Sequence, residues 1–264
     1  MRGSIYLKTL HDLHAQTLAW SLGLALLGAA NVLLFPTFQS MPNLIGFLEQ
    51  MPPTIRAIVG DVTAMAQLDG FLRTKLFDPL PLLLAVFVVS QGARLIAGEV
   101  EHKSIDLLLA QPVSRRRIVV GKFLAMVTAT VFMTLILVAS LVICCRFIEG
   151  ESSARHLLLS TLNGLPLTWF FGAAALLGSC LLQRAQQASM IVGGTVVGFY
   201  VWETFRLLSP SLRPYDEFSL FAQHKAGVTL AGQVQAEPIL VLLGLAAVLL
   251  VGAVVAFDRR DLAS

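Results

Sequence analysis

The charged side chains of this sequence concentrate in one stretch, Gly98-Glu-Val-Glu-His-Lys-Ser-Ile-Asp-Leu-Leu-Leu-Ala-Gln-Pro-Val-Ser-Arg-Arg-Arg-Ile-Val-Val-Gly-Lys122. Its acids are Glu99, Glu101 and Asp106; its bases are Lys103, Arg115, Arg116, Arg117 and Lys122. Carboxylates and guanidinium groups at this density make charge-assisted hydrogen bonds to a facing surface. That is recognition chemistry, not bond-making chemistry. Ile105, Leu107, Leu108 and Leu109 are too apolar for a solvated linker, and Pro112 stops any helix that carries them. Ser104 is placed to cap such a helix. A short amphipathic helix that lies on a surface or docks a partner fits the pattern.

Catalytic arrangements are absent. Gly121-Lys122 is followed by Phe123, and Arg116 stands where a phosphate-binding loop needs its first glycine. There is no His-Glu-x-x-His helix and no Gly-x-Ser-x-Gly elbow, so we assign no catalytic residue. His11 and His14 lack a third ligand nearby and read as solvated histidines; no metal site and no cofactor are expected. The three cysteines, Cys144, Cys145 and Cys180, cannot build a disulfide framework and read as small apolar fillers. No basic run is interleaved with aromatics, which argues against nucleic-acid binding.

The elements around the charged stretch are apolar. Hydrophobic residues make up 56% of the 264 residues and charged ones 13%, against about 25% charged in soluble domains. Mean hydropathy is +0.77. The expected fold is an all-α membrane domain occupying the whole chain, 1–264. A span needs about 20 apolar residues, which places six transmembrane helices near 17–35, 79–97, 118–145, 157–182, 188–208 and 237–257. Residues 1–16 alternate Ile5, Leu7, Leu10 and Leu13 with Lys8, His11, Asp12 and His14, and read as a helix lying on the cytoplasmic face. Prolines divide 36–78 into apolar clusters, read as two or three short helices along the outer surface. Arg94 lies within snorkelling reach of the second span's cytoplasmic end. Pro166 is expected to kink or break the fourth span. Glu203 and Arg206, three apart near the outer end of the fifth span, can pair. Gly194 and Gly198 form a small-xxx-small spacing that serves either internal packing or dimerisation. With both termini cytoplasmic, the inner segments hold 11 Lys and Arg and the longer outer segments 8, as the positive-inside rule requires. The span centres hold almost no ionisable group. A porter driven by protons or sodium usually carries one there, so energy is expected to enter through the polar segment between spans two and three.

That segment resembles the signature of ABC-2 type permeases, the membrane subunits of one class of ATP-binding-cassette transporter. Their pattern runs acid-x-acid, a base, Gly-Thr, a Leu-rich run, Pro-Val-Ser-Arg and Gly-Lys. Glu99, Glu101, Asp106 to Leu109, Pro112 to Arg115, Gly121 and Lys122 match it; Lys103 and Ser104 stand in place of the Gly and Thr. The ending Phe257-Asp-Arg-Arg-Asp is also similar to that family's. The resemblance implies a permease that forms an export path for an unidentified substrate in the cell inner membrane. It implies a permease homodimer driven by two copies of a separate ABC ATPase, which binds the ATP. Glu99, Glu101, His102, Lys103, Ser104, Asp106, Leu107 and Leu108 would form the ATPase-coupling helix, and Arg115, Arg116, Arg117 and Lys122 a cytoplasmic basic anchor. A different reading of Glu101 pairs it with Arg115, Arg116 or Arg117 inside its own loop. The alternative function is a non-transporting membrane scaffold or assembly factor that recruits an ATPase.

Overall fold

The computed structural model describes residues 5–40, 64–101, 113–148, 152–209, 211–212, 219–228 and 233–259. Six helical runs are long and apolar enough to cross a membrane: Ile5–Gln39, Leu68–Glu101, Arg115–Cys145, Ala154–Leu181, Ala185–Leu208 and Ala236–Arg259. Among the described residues the one strand-like pairing is an isolated bridge, Val228 with Val234. An all-helical solution is what a bilayer demands, because no water there can satisfy an open backbone.

The first helix, α1 (Ile5–Gln39), is a single element of 35 residues. The expected surface helix over 1–16 is therefore not separate from the span over the residues described. The reason is its buried stripe: Ile5, Thr9, Leu13, Thr17, Ser21, Leu24, Gly28, Val32 and Phe35 recur every three or four residues along the whole helix. This stripe packs on the third span, α4 (Arg115–Cys145). Its small members allow close approach, and Thr9, Thr17 and Ser21 return their hydroxyl protons to the carbonyls of Ile5, Leu13 and Thr17. Tyr6 Oη meets Thr128 Oγ1 at 3.0 Å, tying the start of α1 to α4.

The second span begins earlier than its hydropathy suggests. Helix α2 (Leu68–Leu72) runs through a π-helical turn, Arg73–Phe77, towards α3 (Leu80–Glu101). Phe71, Leu72, Leu76 and Phe77 are buried rather than spread on an outer surface; the remainder of that outer segment, 41–63, lies outside the described residues. The fourth span is broken at Asn163, between α5 (Ala154–Leu162) and α6 (Gly164–Leu181), not at Pro166. Pro166 sits in the first turn of α6, where its missing N–H costs nothing. Helix α7 (Ala185–Leu208) is the fifth span, α8 (Leu220–Ala226) a short return helix, and α9 (Ala236–Arg259) the sixth span.

Spans two and four are the most enclosed. They meet where Gly92 of α3 faces Gly172 and Ala175 of α6; a Cβ on Gly92 would lie 2.9 Å from that of Ala175. Ser179 Oγ of α6 accepts the N–H groups of Ile96 and Ala97 at 3.0 and 2.8 Å. Helix α7 packs on α3 and α6, and α9 on α6 and α4. Helices α1, α4 and α7 start at the end where α3, α6 and α9 finish. The described chain ends, Ile5 and Arg259, flank the charged stretch at this signature end.

The opposite end is closed by polar contacts to α8. Glu203, 2% exposed, takes Arg206 at 2.9 Å. It also accepts Ser219 Oγ at 2.6 Å and Lys225 Nζ at 3.2 Å. Arg73 Nη2 donates to Lys225 O at 2.7 Å. His224, also 2% exposed, sets Nε2 at 3.2 Å from Phe77 O, while Asn163 Nδ2 lies 3.4 Å from its Nδ1 and donates to His224 O at 2.8 Å. Burial holds the His224 imidazole below its ordinary value, against the opposing pull of Asp78 and the Phe77 and Asn163 carbonyls. Nδ1 also lies 3.2 Å from Asn163 O, and a neutral ring, with one N–H, can donate to only one of the Phe77 and Asn163 carbonyls. A base with a depressed folded pKa contributes stability that is full above its unfolded value, about 6.5, and falls as pH drops below it. The melting temperature of the purified chain is expected to fall from pH 7.5 to 5.5, with that slope reduced in His224→Gln. An unchanged slope in the variant would show that another group sets it.

Candidate functional site

The signature end is built around one buried ammonium. Lys122 lies two turns inside α4 and is 4% exposed. Its Nζ donates to Leu95 O and to Glu99 Oε1, the latter at 3.1 Å. Both acceptors belong to the last turns of α3. A buried charge is tolerated only when paired and hydrogen-bonded, so Lys122 fixes the start of the third span against the end of the second.

Glu101, two residues on, points elsewhere. Its Oε1 accepts the backbone N–H of Ala185 at 3.1 Å, the first residue of α7. The N-cap position there, Arg184, supplies no side-chain cap. A helix start leaves N–H groups unsatisfied and carries positive partial charge; Glu101 answers both across the helix boundary. Its described hydrogen bond is to α7, not to Arg115, Arg116 or Arg117.

Those arginines begin α4 on the far side of the charged stretch. Arg115 Nη1 donates to Phe257 O and Asp258 O at 3.0 and 3.2 Å, with its guanidinium 5.7 Å from the centre of the Phe257 ring. Arg116 Nε reaches Asp258 Oδ2 at 3.0 Å. Two cations thus cap the end of α9, where exposed carbonyls favour positive charge. Arg117 is exposed. The charged stretch therefore leaves the bundle at a clamp on span five and returns at a clamp on span six. His102, Lys103, Ser104, Asp106, Leu107 and Leu108, between the clamps, lie outside the described residues.

Sequence reading brought together Glu99, Glu101 and the basic group, but not their separate partners. Asp258 was visible only as part of a terminal pattern, and the N–H of Ala185 carries no side-chain signal at all. Gly194 and Gly198 sit apart from this site, on an open face of α7: a Cβ on either would meet nothing within 4 Å. Among the described residues, no group of three or more His, Cys, Asp or Glu is arranged to hold a metal ion.

Removing one partner of the Lys122–Glu99 pair strands the other in a mostly buried place. Glu99→Gln and Lys122→Met are each expected to destabilise the purified chain by about 3 kcal/mol. The double variant should recover much of that loss. Additive losses in chemical denaturation would show that the pair is not coupled.

A family model described as ABC-2 family transporter protein matches residues 25–262. A search among curated proteins returned no match.

Proposed function

This chain belongs to the ABC-2 family of transporter proteins, as a permease component of an ABC transporter, and on that premise we propose how it is driven. It forms the membrane path for export of a substrate, while a separate ABC ATPase binds the ATP and docks on residues 99–109. His102, Lys103, Ser104 and Asp106 meet the partner's groove, and Leu107 and Leu108 pack beneath. The signature end faces the cytoplasm of a cell whose inner membrane holds the protein.

One observation carries the coupling: the two clamps that flank the polar segment. Glu101 holds the start of span five and Arg115 and Arg116 hold the end of span six. A partner that shifts 102–112 moves its flanks, and the flanks are bonded to two spans that lie apart in sequence. Arg117, exposed beside them, is left to meet the partner. Among the described residues, the buried charged and histidine side chains of the spans are Lys122 towards the signature end and His156, Glu203 and Arg206 towards the opposite end; none sits at a span centre, which agrees with energy supplied from outside the bilayer. The unpacked glycine face of α7 supports a permease homodimer, served by two ATPase copies.

Co-expression with the ATPase and purification tests the coupling. In Glu101→Gln the ATPase should still co-purify, while substrate-stimulated ATP hydrolysis falls about tenfold, the loss of the acceptor's charge from one hydrogen bond. Recruitment and stimulation both unchanged would remove Glu101 from coupling. A recruited ATPase with no substrate stimulation in the wild type would favour a scaffold. Orientation is tested after replacing Cys144, Cys145 and Cys180: Ser114→Cys is expected to label only in opened cells and Ser211→Cys in intact ones. Labelling of Ser114→Cys in intact cells would reverse the topology.

A further inference from the structure

Helix α1 lies along α4 and leaves a seam against α3, bridged by the edge contact of Trp20 with Phe87, ring centres 6.1 Å apart. Two hollows open along this seam. The one at the signature end, about 660 Å³, is polar and is lined by Lys8 and Asp12 of α1, Arg94 and Glu101 of α3 and the Lys122–Glu99 pair. The other, about 440 Å³, is apolar and is lined by Trp20, Gly23, Leu24 and Leu27 of α1 and Leu83 of α3.

Their spacing is the same on both helices. Asp12 to Gly23 and Arg94 to Leu83 are each eleven residues, roughly 16 Å of rise along either axis. Half of a bilayer's hydrocarbon core is about 15 Å. A molecule whose charged end fills the first hollow therefore lays its chain in the second without leaving one leaflet.

The charges narrow what that end is. Lys122 and Glu99 satisfy each other. Glu101 spends one oxygen on Ala185. Lys8, Asp12 and Arg94 make no ion pair or side-chain hydrogen bond with a described residue. The hollow thus presents two cations, Lys8 and Arg94, and two carboxylates, Asp12 and Glu101. A purely anionic headgroup meets two acids there, and a purely cationic one two bases. A headgroup that carries both a phosphodiester and an ammonium matches all four. Arg94 presents a planar fork suited to phosphate oxygens, and a primary ammonium can donate to Asp12 and Glu101.

We propose that the α1–α3 seam binds one zwitterionic aminophospholipid of the surrounding bilayer, with its phosphate on Lys8 and Arg94, its ammonium on Asp12 and Glu101, and an acyl chain in the Trp20–Leu27 groove. This site belongs to the permease chain alone and needs neither ATPase nor substrate.

The test uses the full chain without a partner, in nanodiscs of equal parts phosphatidylethanolamine, phosphatidylcholine and phosphatidylglycerol, then transferred to mild detergent for native mass spectrometry. Phosphatidylethanolamine should be the dominant retained lipid. Arg94→Gln and Asp12→Asn should each lower its retention on the order of tenfold, the loss of one bond to a charged group, while Arg155→Gln at the opposite end leaves it unchanged. Gly23→Phe should lower retention too. The position is sterically open, with nothing within 4 Å of an added Cβ, so its melting temperature should match the wild type and isolate the chain groove from any folding defect. Retention of phosphatidylglycerol at or above phosphatidylethanolamine overturns the proposal. So does retention that is insensitive to both Arg94→Gln and Gly23→Phe.

Discussion

A polar group inside a bilayer must find its partner within the protein, and this fold is arranged around two places where that requirement is most severe. At the signature end the Lys122 ammonium is satisfied by Glu99 and the Leu95 carbonyl. At the opposite end Glu203 gathers Arg206, Ser219 and Lys225. Between them the spans are held by packing, closest where glycine lets α3 and α6 approach at Gly92 and Gly172. Each charged centre joins elements distant in sequence. Lys122 fixes span three to span two, and Glu203 fixes span five to the return helix α8. The bundle is thus pinned at both faces and packed in the middle.

Much of this was legible in the sequence because hydropathy is a one-dimensional signal. Six spans followed from apolar runs, and the pairing of Glu203 with Arg206 followed from a spacing of three. What hydropathy could not supply was the identity of neighbours. The stretch 5–16 looks amphipathic in isolation, yet its Ile5, Thr9 and Leu13 extend the same stripe that Thr17 to Phe35 carry onto α4, so tertiary packing makes one helix of it. Pro166 drew attention as a helix breaker, but a first-turn proline breaks nothing. The interruption falls at Asn163, whose side chain is engaged by His224, sixty-one residues away. Phe71 to Phe77 read as surface clusters because the prolines before them end the pattern; burial joins them to the second span.

The charged stretch shows the same division. Its residue types announced recognition, and their order resembled a known signature. The attachments of its ends were hidden. One partner is a backbone N–H at Ala185, and the other is a helix terminus more than 140 residues away. Neither leaves a pattern that spacing rules can detect. Glu101 and Arg115 are therefore better understood as the two fixed ends of a segment than as members of one cluster.

The length of α1 has a mechanical consequence. Its 35 residues rise roughly 52 Å, while the hydrocarbon core is about 30 Å thick. Bonded along its length to the 31-residue α4, it forms a double-stranded beam longer than the layer that surrounds it. A beam pivoting within the membrane moves farthest at its projecting tip, in proportion to the overhang. The stiffness of the α1–α4 pair, set by the threonines, serines and glycine of their shared stripe, thereby decides whether a tilt in the bilayer arrives at Arg115 as displacement or is lost as bending.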